Sequence, residues 1–183
     1  MIQIKPHLPQ PTGLPEALQN VVVEDLIFTG IHILVRLRNN VTQTVYYHTL
    51  PAGHATRFPV TFSADGKEKY YPKAAEAWMA TPLINSVLRK LTIYPPIEKT
   101  VLQPYSEVVI LNCLDNCYGH VLYKLFNAQR HLDDNFGIGV ILVIPHSFKW
   151  LVPSGVAEIW SVDAPLNQLN SLISSLDDFV KNE

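Results

Sequence analysis

The chain has 183 residues, of which 48% are hydrophobic and 16% charged, and its formal net charge is −2. That balance belongs to a globular protein able to bury a sizeable core, and it excludes the disordered and fibrous classes. Neither a basic stripe nor a strongly acidic tract is present, so non-specific nucleic-acid binding has no electrostatic source and no nucleic-acid partner is expected.

Met1 to Gln19 carries Pro6, Pro9, Pro11 and Pro15, which remove backbone donors and fix φ, and the stretch reads as an extended arm. It holds no apolar run long enough for a signal peptide, no later segment reaches a membrane-spanning length, and the expected location is the cytoplasm. From Val21 to His48 the pattern is strand-like. Ile33, Val35 and Leu37 alternate with His32, Leu34, Arg36 and Arg38, and Asn39-Asn40 tolerates the left-handed backbone of a hairpin turn. A further strand is expected over 57–63, closed by the turn signal Asp65-Gly66. Residues 74–91 are good helix formers with Pro82 inside them, so one turn-broken helix is expected. Tyr94-Pro95-Pro96 through Gln103-Pro104 then reads as a connector, which sets a β-rich region over residues 1–105 apart from a second region over 106–183.

The second region alternates in the manner of an α/β fold. Val108-Val109-Ile110-Leu111 is the continuous apolar run of a strand buried on both faces. Residues 118–132 follow as a helix, with Val121, Leu122, Leu125, Ala128 and Leu132 at spacings of three and four. Residues 140–144 and 156–162 supply two more strands, with a short turn of helix at 147–151 between them. Pro165 opens a last helix to about Val180, whose buried face is marked by Leu166, Leu169, Leu172, Ile173, Leu176 and Val180. The expected class is α/β, a Rossmann-like three-stranded parallel half-sheet with helices, preceded by the β-rich amino-terminal region. Such a half-sheet leaves an edge unpaired, which leads us to expect either strands added from the first region or, preferably, the amino-terminal fragment of a longer protein.

In open α/β sheets ligands bind beyond the carboxyl ends of the strands. The first such end here is polar and contains Asn112, Asp115, Asn116, Tyr118, Gly119 and His120. His120, near the helix start, suits a base or a hydrogen-bond donor to a phosphate, and Asp115 suits the group that orients it or that receives a hydroxyl proton. Gly119 permits close approach of a ligand, and His146, after the second strand, stands where a further ligand contact is expected. The competing reading is that Asp115 or Asn116 only caps the helix and that His120 lies under the turn. Asp133-Asp134 and Asp177-Asp178 read as solvated surface, and Trp150 and Trp160 as core or interface packing.

Other chemistry finds no motif. Cys113 and Cys117 are too few for a disulfide scaffold or a closed zinc site and read as small residues packed under a turn, so no metal is expected. Gly137 and Gly139 precede a strand and lack a third glycine, and neither a phosphate loop nor a nucleophile elbow is present. No cofactor is implied.

The run Asn116-Cys117-Tyr118-Gly119-His120-Val121-Leu122-Tyr123-Lys124-Leu125 resembles the signature that opens the first helix in a family of GT-B-like glycosyltransferases, family 61. That resemblance implies a transferase moving a sugar from a nucleotide-sugar donor to a glycan or protein hydroxyl. It makes this chain the amino-terminal, acceptor-side half, with His120 and Asp115 as base candidates and the donor diphosphate held elsewhere. Two other readings stand beside it: a non-catalytic binding module on an α/β scaffold, and a nucleotide-binding enzyme completed by homodimerisation across the open sheet edge.

Overall fold

The computed structural model describes residues 18–89, 92–134, 137–169 and 172–182. Most of the proline-bearing arm, and His7 with it, lies outside those residues. The chain divides into two compact units, Met1–Thr92 together with Ser171–Glu183, and Ile93–Asn170. The division falls just before the connector that opens at Tyr94, and the carboxyl-terminal segment belongs with the first unit.

The first unit is built on five antiparallel strands, β1 (Val21–Phe28), β2 (Ile33–Asn39), β3 (Val45–Thr49), β4 (Thr61–Ser63) and β5 (Lys69–Tyr70), which neighbour one another in sequence order. The alternation in β2 sends its side chains into two cores. Leu34 joins Val60, Phe62, Met79, Leu83 and Ile84, whereas Val35 and Leu37 join Leu18 and Tyr46. At the β2–β3 hairpin Asn39 acts through its side chain, whose Oδ1 accepts from the backbone N–H groups of Val41 at 2.8 Å and Thr42 at 2.9 Å. The left-handed residue there is Gln43, at φ 60°, rather than Asn40.

Residues 73–88 make a 3-10 turn over Lys73–Ala75, a π turn over Glu76–Ala80 and helix α1 over Thr81–Leu88. Pro82 stands in the first turn of α1, where its missing N–H costs no internal hydrogen bond. A two-residue strand, β6 (Thr92–Ile93), lies at the boundary between the units.

The second unit contains β7 (Ile97–Val101), β8 (Val108–Asn112), helix α2 (Tyr118–Asp134), β9 (Gly139–Pro145) and β10 (Glu158–Val162), in a sheet ordered β7-β10-β9-β8. The strands β8, β9 and β10 run parallel, and β7 is antiparallel to β10. Every residue of β9 is buried, as its unbroken apolar run requires. Helix α2 lays Val121, Leu125 and Ala128 against Val140, Leu142, Ile144 and Ile159. Gly139 has a packing reason, since a Cβ there would come within 2.6 Å of the Tyr105 ring.

These sheets overturn the expected α/β, Rossmann-like half-sheet with its β-rich preamble. The chain has a large antiparallel sheet of five strands and a separate mixed sheet of four, and the three parallel strands are only part of the latter. Two local causes explain the difference. Ile97–Val101 was hidden between prolines, yet pairs with β10 along its full length from Ile97↔Val162 to Val101↔Glu158. The helix expected from Pro165 instead breaks into a 3-10 turn at Leu166–Gln168, strand β11 (Leu172–Ile173) and helix α3 (Ser174–Asn182).

Strand β11 and helix α3 belong to the first unit. Asp177 Oδ1 accepts from the Phe28 N–H of β1 at 3.1 Å, while Lys181 spans Asp25 at 2.8 Å and Asp177 at 2.9 Å. Asp177 is thus a structural acceptor on β1 rather than plain solvated surface. Trp160 is fully buried, whereas Trp150 is 73% exposed.

Candidate functional site

The loop between β8 and α2 is shaped by two short polar side chains. Asn112 Oδ1 accepts from the Leu114 N–H at 3.0 Å, and Asp115 Oδ1 accepts from the Cys117 N–H at 3.1 Å. Each is the side-chain mimic of a backbone turn that Asn and Asp favour. Together they bring the chain to the start of α2 at Tyr118 from the end of β8, which is an edge strand with no fully buried residue rather than the strand buried on both faces that its apolar run suggested.

Asp115 is only 4% exposed, and it faces two side chains of α2. His120 Nδ1 lies 3.1 Å from Asp115 Oδ1, and Lys124 Nζ lies 3.2 Å from Asp115 Oδ2. The same ammonium donates to the Leu114 carbonyl at 2.7 Å. Burial works to raise the Asp115 pKa, but the Lys124 ammonium, the Cys117 N–H and His120 outweigh it and hold the carboxyl below its ordinary value. An ionised carboxylate facing Nδ1 selects the tautomer with its proton on that nitrogen, leaving the lone pair on Nε2. The His120 side chain is 48% exposed, so the imidazole keeps access to solvent while its orienting partner is buried.

Asp115 and His120 are therefore in contact, and Asp115 also shapes the turn; the capping and dyad readings of that residue are compatible. Asn112 is half-buried at the end of β8, and Asn116 is exposed. Tyr118 is 47% exposed, with its ring edge-to-face on Phe148 at 5.5 Å. Gly119 needs no special backbone and a Cβ there would find only Cys117 Sγ, at 4.0 Å. Gly119→Ala should accordingly leave stability unchanged or raise it by up to about 1 kcal/mol in a denaturation curve. A lower stability would show that the turn needs glycine.

His146 opens the 3-10 turn after β9 and has different partners. Its Nδ1 lies 3.4 Å from Ser161 Oγ and 3.7 Å from Glu98 Oε2, and Lys149 Nζ binds Glu98 Oε1 at 2.7 Å and Thr100 Oγ1 at 3.1 Å. The Lys149 hydrogen bond and charge, aided by His146, hold the Glu98 carboxyl below its ordinary value. This group does not form a nucleophilic triad, because serine and carboxylate both approach the same imidazole nitrogen and Ser161 is fully buried.

Lys124 was the residue missed at the dyad, although its place one helical turn after His120 was legible. Glu98 was not legible, since its strand read as a connector. Cys113 is buried and its thiol is pushed up to about 12 by desolvation, with Lys124 pulling the other way, whereas Cys117 is exposed; both are free. The reading of both as packed under a turn thus holds for Cys113 alone. Among the described residues no group of three or more His, Cys, Asp or Glu is placed to hold a metal ion, and no helix is long and apolar enough to cross a membrane. Comparison of the chain with protein-family models, with curated proteins and with solved structures finds no match.

Proposed function

We propose that this chain supplies the acceptor-side base of a group transfer to a hydroxyl, with a nucleotide sugar as donor and a glycan or protein hydroxyl as acceptor. The observation that carries the reading is the 3.1 Å contact between His120 Nδ1 and a buried Asp115 carboxylate kept ionised by Lys124. What supports a sugar as the transferred group is the resemblance of the residues from Asn116 to Leu125 to the glycosyltransferase helix signature.

In the transfer, His120 Nε2 takes the proton of the acceptor hydroxyl as its oxygen bonds to the anomeric carbon. The bond from that carbon to the donor phosphate breaks, and the nucleoside diphosphate leaves with the electron pair. Asp115 stabilises the imidazolium formed and fixes the ring, the role a buried carboxylate plays beside a histidine base. The diphosphate is bound by groups outside the dyad.

The test is release of nucleoside diphosphate when the protein, expressed from its whole reading frame, is incubated with a panel of nucleotide sugars and hydroxyl acceptors. Turnover with at least one donor is expected, and His120→Gln should lose most of the rate. Absence of turnover with every donor, or an unchanged rate in His120→Gln, would overturn the base assignment in favour of a non-catalytic binding module.

A further inference from the structure

The first unit carries a cluster of side chains that the dyad does not use. Trp78 stands on the π turn, 45% exposed, and its indole N–H is spent on the Ala74 carbonyl at 2.7 Å. His54 meets its ring at 5.2 Å with the planes 77° apart, and Phe58 meets it at 5.5 Å and 88°. Arg57, at the end of the 3-10 turn Gly53–Thr56, places its Cζ 5.8 Å from the centre of the Phe58 ring. Among the described residues the Arg57 guanidinium has this ring as its neighbour and no carboxylate paired with it.

Each detail narrows what this surface can recognise. Edge-to-face neighbours fix the orientation of the Trp78 ring, so an incoming group meets a platform that is already ordered. With its one donor used internally and the residue 45% exposed, the indole meets a ligand through apolar ring surface, which suits the C–H face of a pyranose. The π turn that presents it is a feature that recurs at functional sites. Arg57 adds five N–H donors in a fixed fork that matches a carboxylate, and its uncompensated charge favours an anion. An apolar protein partner fits poorly, because covering this patch would desolvate a cation with no acid beside it.

We propose that Trp78 and Arg57 form a binding site for an acidic sugar residue of an oligosaccharide, with the pyranose ring on the indole and the sugar carboxylate on the guanidinium. The site goes beyond the acid–base dyad, and its readout is binding rather than turnover, so either assignment can fail alone.

Calorimetric titration of the whole chain with trigalacturonate tests it. Binding is expected to weaken with salt, as a charge-assisted contact requires. Maltotriose, which lacks the carboxylates, should bind about tenfold more weakly, and Arg57→Gln should cost trigalacturonate a similar factor. Trp78→Ala should weaken trigalacturonate by about tenfold through loss of the stacking face, whereas Trp150→Ala should leave it unchanged. Arg57→Gln, at an exposed position, keeps the test decisive if Trp78→Ala lowers the melting temperature. The proposal is overturned by three results: no binding of trigalacturonate to the wild-type chain, equal binding by both site variants, or tighter binding of AMP than of trigalacturonate. The last would give the platform to a nucleotide.

Discussion

Lys124→Met is expected to lower the unfolding free energy by roughly 3 kcal/mol at neutral pH, the low end of what breaking a buried ion pair costs. The substitution keeps the apolar stem of the side chain and removes only the ammonium that holds Asp115 and the Leu114 carbonyl. The low end applies because the Cys117 N–H and His120 still face the carboxylate. Its signature is in the pH dependence. A carboxyl whose folded-state pKa is depressed contributes stability that is fully present above its unfolded value of about 4, and that is lost as pH falls through the folded value. The variant should therefore differ most from the wild type above about pH 4, and the two urea curves should converge in stronger acid. Equal stability across that window would mean that Lys124 does not hold the Asp115 charge, and the dyad would lose its anchor.

Leu142→Ala should cost about 2–5 kcal/mol, a large share of the roughly 5–15 kcal/mol that a domain has to lose. Leu142 is fully buried in the middle of β9, between Leu111 of β8 and Ile159 of β10, and lies in the cluster that contains Val121 and Leu125 of α2. Truncation leaves a hole between the sheet and the helix that carries His120 and Lys124. Val109→Ala provides the comparison, since Val109 is 40% exposed on β8 and should cost well under about 1 kcal/mol. Similar losses for the two would show that α2 does not pack on this face as described.

The parts of the fold that could be read in the chain are those where one physical signal dominates. The apolar run of β9 and the three-and-four spacing of Val121, Leu125 and Ala128 led to a buried strand and a helix packed on it. Ile97-Glu98-Lys99-Thr100-Val101 gave neither pattern, because an edge strand can expose Glu98, Lys99 and Val101 and still pair through its backbone. The carboxyl-terminal segment misled for a different reason. Leu169, Ile173, Leu176 and Val180 are all buried, as helical spacing suggested, yet only the last two lie in α3. A series of short elements can bury the same positions as one long helix, and spacing alone does not separate them.

At the site, the contact between Asp115 and His120 was legible because it is local, closed by five residues of turn and helix. The partners of His146 come from strands 15 and 48 residues away in sequence, and pairing of β7 with β10 is what places Glu98 near it. Gly119 shows the limit of reading a glycine by type. A residue that suggested close approach has room for a methyl group, whereas Gly139, in a failed dinucleotide fingerprint, is the glycine whose Cβ a neighbouring ring would forbid.

The return of α3 to β1 makes the first unit discontinuous, with Ile93–Asn170 as an insertion between its two parts. During synthesis the acceptor for the Phe28 N–H is made only after the whole insertion. The mixed sheet and α2 can thus gather their contacts while β1 still waits for its final neighbour, an order in which the inserted unit leads and the enclosing unit closes. Long-range closure of this kind is slow, since contacts 149 residues apart must be made at the cost of the entropy of the intervening chain.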